Sequence, residues 1–417
     1  MNTDVESLTA RKILLSTSIR NKIANACCML TGLLFSCQLF AQKELIVPPA
    51  KFISTVPFTQ LTGGIIILHA TLDDFKDTLN FVLGTGSGGI SLNSLTCTYY
   101  HLTTVSSDKT VRGIAGRKKV SFANDHTLHF KGVTVDSLDF HINDYEGMSS
   151  TYGIKIDGII GLSFLRRYVV ALDYDKMEMA VYEPGSYQYP EGGYLLKQNF
   201  SNIPKEMVEV KDNTDVRSQF YFDTGSGLCL LMTDDFTEDN AIFKNKRKFY
   251  ASNGQSFGGT VPMTLSLVKE IKFGPYSFRD VPVYNFKDQY GVISYPELSG
   301  ILGNDLMRRF NTVLNYPQQE FYIKPNEHYA DPFDYSYTGL GLSLVNNAIT
   351  VTDIISDSPA DKAGLKEGDI IIGVETNFSN NIQAYKILLQ NVKAKVRVTF
   401  MRNGQSKVIQ LKVKSIL

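Results

Sequence analysis

Tryptophan is absent from this chain, histidine occurs six times and cysteine five times in 417 residues, and the 42 basic side chains balance 42 acidic ones. The missing net charge excludes the basic footprint with which proteins hold a phosphate backbone or an anionic bilayer, so no nucleic-acid partner is expected. Scarce cysteine and histidine build no cluster with metal-ligand spacing. His126 and His129 flank an alternating stretch that reads as a strand rather than a metal site. Neither a metal nor another cofactor is expected. A long hydrophobic run is missing too, because the apolar stretch at 26–40 is too short to span a bilayer comfortably.

That stretch follows Arg11, Lys12, Arg20 and Lys22 and ends beside Ala41-Gln42, which is the pattern of a secretory leader over 1–41. Cleavage after Ala41 is expected. The alternative is lipidation at Cys37, since Leu34-Phe35-Ser36-Cys37 loosely follows a lipoprotein signal. Either reading exports the protein to the periplasm or the extracellular space. Three cysteines then belong to the leader, and Cys97 and Cys229 are expected as buried free thiols in apolar surroundings.

What the sequence has in abundance is short β-rich runs separated by Gly, Asn and Asp. From 45 to 184 these include 64–70, 79–83, 119–122, 128–130 and 133–141, with helical periodicity nearly absent. Two matches reveal a duplication. Phe81-Val82-Leu83-Gly84-Thr85-Gly86-Ser87-Gly88 returns 139 positions later as Phe220-Tyr221-Phe222-Asp223-Thr224-Gly225-Ser226-Gly227. Ile159-Ile160-Gly161, Arg166, Leu172 and Tyr174 return 142 positions later as Ile301-Leu302-Gly303, Arg308, Leu314 and Tyr316. A repeat of about 140 residues is the size of a small domain. Between the two motifs each half carries a glycine-bearing segment suited to a hairpin bend, Gly113-Ile114-Ala115-Gly116 and 253–259.

The last eighty residues differ. An aromatic, polar linker at 329–337 precedes Gly339-Leu340-Gly341-Leu342, a strand at 349–354, a helix-like run at 381–389 and a hairpin around Asn403-Gly404. This reads as a separate α+β module.

An Asp-Thr-Gly turn has a chemical purpose when two of them meet. Two carboxyls at short range share one proton, one serving as general base on a water and the other as general acid on a carbonyl. On these motifs the chain resembles an aspartic peptidase of the pepsin and retropepsin type, with both halves in one polypeptide over about 45–325. The C-terminal module resembles a bacterial PDZ domain. The fold implied is mainly β: two pseudo-symmetric acid-protease β-barrel lobes at 42–185 and 186–330, plus a C-terminal α+β PDZ domain at 336–417.

The resemblance makes Asp223 a catalytic acid and Gly84 the position of its missing partner. It makes Thr85 and Thr224 interlobe hydroxyls, Ser87 and Ser226 carboxylate supports, and Gly86 and Gly225 parts of the turns. Gly113, Ile114, Ala115 and Gly116 become a flap, and Gly339, Leu340, Gly341 and Leu342 a PDZ peptide-binding loop. It implies a monomer with a polypeptide substrate or ligand in an interlobe cleft and a C-terminal or extended peptide at the PDZ domain. Glycine at 84 departs from the family pattern, so the implied endopeptidase is inactive or severely impaired. The alternative is a non-catalytic peptide-binding pseudoprotease or adaptor. Asp157 belongs to the crossing segment and is not expected to replace the lost acid. The run Gly84-Thr85-Gly86-Ser87-Gly88-Gly89 also fits a dinucleotide pattern, but 90–100 reads as strand and turn instead of the required helix, which argues against nucleotide binding.

Overall fold

The structure is a computed structural model that describes residues 47–197, 203–244, 247–293, 298–335 and 337–417; the expected leader lies outside the described residues. Each half is built around a buried strand that runs into its glycine-rich turn. Leu79–Leu83 carries Phe81, Val82 and Leu83, all fully buried, and ends at Gly84. A short strand, Gly158–Ile160, lies between it and Ile90–Asn93. It pairs parallel with the first, Phe81 facing Gly158, and antiparallel with the second, Ile90 facing Ile160. The second half repeats this arrangement. Leu298–Gly303 lies between Asp215–Asp223, where Phe220 faces Gly300, and Leu230–Thr233, where Leu230 faces Leu302. Glycine is needed at both crossing points. A Cβ on Gly158 would stand 2.1 Å from the Ser91 carbonyl oxygen and 2.8 Å from the Phe81 ring, and one on Gly300 would meet Leu231 and Phe220 at 2.0 and 2.7 Å.

The halves share one antiparallel seam. Val169–Asp173 pairs with Phe310–Asn315, and Ala171 faces Val313. These two are equivalent positions at the 142-residue offset, so the seam runs about a local twofold axis. The sheet continues through Glu178–Tyr182 and Phe52–Gln60 on one side, and through Glu320–Pro325 and Tyr194–Lys197 on the other. A single hydrophobic core includes Phe81, Leu83, Phe220 and Phe222 from the two halves. Cys97 and Cys229 are buried and unpaired, and burial pushes the Cys97 thiol up to about 11.

Two local expectations change. Ser94–Tyr99 forms a helix where strand and turn were read, because the Asn93 side chain accepts the Leu95 N–H (3.1 Å) and starts the turn. The runs at 119–122 and 128–130 belong to one strand, Gly116–Phe130, whose register shifts between Ala123 and Leu128 break its sequence pattern. His126 pairs with Asp73 (2.7 Å) and His129 with Thr134 (3.2 Å).

The C-terminal module has its own core and a five-stranded sheet in the order Leu340–Val345, Ala348–Ile354, Ile370–Val374, Lys395–Arg402 and Gln405–Lys412. Asn346-Asn347 and Asn403-Gly404 make two-residue turns with positive φ. Helix Ile382–Leu389 starts at Asn381, whose side chain accepts the Ala384 N–H (3.1 Å). The connecting segment is packed down rather than loose. Tyr329 and Phe333 lie against the main core, Arg309 stacks on Phe333 at 4.2 Å and donates to the Pro332 carbonyl (3.1 Å), and the Asp334 N–H reaches Asp305 (2.8 Å).

Candidate functional site

The two glycine-rich turns meet at the centre of the molecule and are tied by reciprocal bonds. Thr85 Oγ1 donates to the Phe222 carbonyl (2.7 Å) and accepts the Thr224 N–H (3.1 Å). Thr224 Oγ1 donates to the Leu83 carbonyl (2.8 Å) and accepts the Thr85 N–H (3.2 Å). Both threonines are buried, so these bonds satisfy groups that water cannot reach, and removing one hydroxyl strands its partners. The result fixes the backbone on which residues 84 and 223 sit.

Asp223 projects from the second turn into a cleft. Its Oδ1 accepts the N–H of Gly225 (2.8 Å) and, across the seam, the N–H of Gly86 (3.0 Å). Burial raises the carboxyl above its ordinary value against the pull of these two donors. The hydroxyls expected to support it, on Ser87 and Ser226, make no hydrogen bond to it; backbone amides hold it instead. Ser87 and Ser226 contribute their carbonyls, which accept the N–H groups of Leu162 (3.0 Å) and Asn304 (2.6 Å). Glycine is required at 86, where an added Cβ would stand 2.5 Å from the Asp223 carboxyl carbon.

Gly84 faces Asp223 from the first turn. A Cβ built there would lie 3.8 Å from Asp223 Oδ1, 3.6 Å from Gly225 Cα and 3.3 Å from the Ile159 methyl. Space for a side chain exists beside the carboxylate once that methyl shifts by a few tenths of an ångström. Asp157 offers no substitute. It is buried away from the cavity lining, held by the Thr96 hydroxyl (2.6 Å), the Asn80 N–H (3.0 Å) and Lys155 (2.7 Å).

Two hairpins cover the cleft. Gly113, Ile114, Ala115 and Gly116 form the tip between Val105–Gly113 and Gly116–Phe130; the tip at 256–259 joins Tyr250–Ser256 to Gly259–Phe273. The tips touch, for a Cβ on Gly113 would come within 2.6 Å of the Phe257 carbonyl oxygen. Arg117 donates to the Tyr290 carbonyl (2.8 Å) and ties the first hairpin to the second half. Beneath them lies a cavity of about 1240 Å³ whose lining includes Gly84, Asp223, Ile114, Phe257, Leu231 and Met263. That volume exceeds the usual range for small-molecule pockets.

The same cavity extends onto the C-terminal module, where Leu340, Gly341, Leu342 and Leu389 line it. Gly339, with φ of +70°, turns the chain into the edge strand Leu340–Val345, which lies beside helix Ile382–Leu389. Residues 336–413 match the family model of the PDZ domain. An edge strand beside a helix is how a PDZ domain takes a peptide, by adding it to the sheet. No curated protein matches this chain. The match covers the PDZ domain and does not extend to the two halves before it.

Several cavity residues escaped the sequence reading. Helix Glu146–Tyr152 bridges the site: the Tyr152 hydroxyl lies against Gly227, and its ionisation is pushed up by burial and by the Asp223 charge. Lys386 is lowered to about 8 by burial, and Asp334 accepts the Gly63 N–H (2.8 Å). No local signal marks any of the three, because their neighbours are far away in sequence.

Proposed function

We propose that the two halves are aspartic-peptidase lobes, at 42–185 and 186–330, which hold an extended polypeptide between their turns, and that this chain has lost most or all hydrolytic power at Gly84. The observation that carries the reading is the reciprocal Thr85–Thr224 bonding, which sets position 84 within a side chain's reach of Asp223. With an acid at both positions, one carboxylate would take a proton from a water between them while the other protonates the scissile carbonyl. Asp223 alone supplies one of those two roles at a time. Loss of one member of such a unit lowers rates by on the order of 10⁴–10⁶. The touching hairpin tips and the large cavity favour a polymer ligand over a small molecule. We read the PDZ domain as a second peptide site on the same protein, and export as its route to substrates.

The test is cleavage of a mixed peptide library by the mature chain, by Gly84→Asp and by Asp223→Asn. The reading expects Gly84→Asp alone to cleave. A folded Gly84→Asp protein that cleaves nothing would refute the peptidase architecture; peptide binding by it would then favour an adaptor.

A further inference from the structure

The edge strand Leu340–Val345 is only partly open to a ligand. Its turn at Asn346-Asn347 makes Val345 and Ala348 the hydrogen-bonded pair, so the N–H and C=O groups of Leu344 and Leu342 point away from the sheet. The neighbouring strand agrees: opposite Leu342, Val351 bonds outward to Asp369 (2.9 Å) and Gly368 (2.9 Å). An added peptide strand would therefore bond at Leu342 and then at Leu344.

The Leu344 position is taken. Ser150 Oγ, on the bridging helix Glu146–Tyr152, donates to the Leu344 carbonyl (2.8 Å). From the other wall of the groove, Lys386 Nζ donates to the Thr151 carbonyl (2.8 Å) and Gln383 Nε2 to the Tyr152 carbonyl (2.9 Å). Gln383 Oε1 in turn accepts the Thr62 N–H (2.9 Å). The helix is thus held to both walls of the groove, and no residue in it is fully buried. Its other contacts belong to the cleft. Tyr152 lies against Gly227 of the second turn, and Gly147 lies against the Gln255 side chain of the second hairpin.

We propose that residues 146–152 are a built-in occupant of the upstream half of the PDZ groove, and that a polypeptide C-terminus longer than about three residues binds only by displacing them. Downstream, Gly341 and Leu342 line the shared cavity. Displacement withdraws Tyr152 from the turn beside Asp223, so PDZ occupancy and cleft geometry are coupled in both directions. The inference rests on the reading of the PDZ domain as a peptide site, and it is independent of whether the cleft hydrolyses anything.

The probes are octapeptides with free carboxylates ending in Leu, Ile, Val or Phe, with the C-terminal tripeptides as controls. Ser150→Ala removes one tie without touching the groove's own walls. It should raise octapeptide affinity about three- to tenfold and leave tripeptide affinity unchanged. In the unaltered chain, octapeptides should speed amide hydrogen exchange across 146–152. Equal octapeptide affinity in the two proteins, or slower exchange across 146–152 on binding, overturns the exchange while leaving the PDZ peptide site intact. Binding to neither protein also overturns it, since a released groove should accept a chain. Cleavage by Gly84→Asp is indifferent to all of these outcomes and judges the cleft separately.

Discussion

Asp223 couples folding to protonation. Burial sets its native value above the ordinary 3.8, so between those two values the native state binds more protons than the unfolded chain. The stability this group contributes is therefore complete below the ordinary value and is lost as pH rises through the native one. Asp223→Asn keeps an acceptor for the Gly225 and Gly86 amides and removes the charge. It should raise Tm at pH 7 by on the order of 1–3 °C, with the gain vanishing near pH 3.5. Melts at the two pH values check this, and an equal gain at both would contradict it. The repeat aligns positions 84 and 223 and both threonines in the sequence, and the fold brings these four positions together. Tyr152 and Lys386 were not legible there, since Tyr152 meets Gly227 and Gln383, and Lys386 meets Thr151, only once the chain has folded. The serine hydroxyls were assigned a task that the Gly225 and Gly86 amides perform.

Single elements were legible where one face is buried and illegible where a cap or a bulge decides. Strands such as Leu79–Leu83 follow from a buried apolar run interrupted only by Asn80, and the Asn403-Gly404 hairpin from its turn chemistry. The helix Ser94–Tyr99 is set by one asparagine cap and holds Thr96, Thr98 and Tyr99, which favour strand; its propensity points the wrong way. In the PDZ domain, Arg402 forks onto buried Asp369 with two bonds of 2.6 Å. Burial pushes that carboxyl up, but the fork outweighs it and holds the group below its ordinary value. The pair's stabilisation is present above the ordinary carboxylate range and is lost as pH falls. Arg402→Ala should cost about 2–4 kcal/mol in the PDZ domain at pH 7, less near pH 3, by chemical denaturation of the whole protein.

For the whole molecule, the duplication was legible and the docking was not. Equivalent residues Ala171 and Val313 facing each other across the seam are what a 142-residue offset implies once the halves pair about a twofold axis. The segment at 329–337 looked like a tether in the sequence. Its residues 329–335 are held by Arg309, which is almost fully buried, stacks on Phe333 and donates to the carbonyls of His328, Asp331 and Pro332. Arg309→Ala should leave those carbonyls unpartnered and speed proteolytic cutting within 329–335 by about tenfold. An unchanged rate of cutting there would show the segment to be held by its aromatic residues alone.

We propose that position 84 and Asp223 form one catalytic address, and the pH profile of peptide cleavage by Gly84→Asp between pH 3 and 7 tests it. Two carboxyls sharing a proton predict a bell-shaped profile with two apparent pKa values, abolished by adding Asp223→Asn, and cleavage at least 10⁴-fold above the unaltered chain. A single-step profile, or Asp223-dependent cleavage by the unaltered chain at comparable rate, would contradict it.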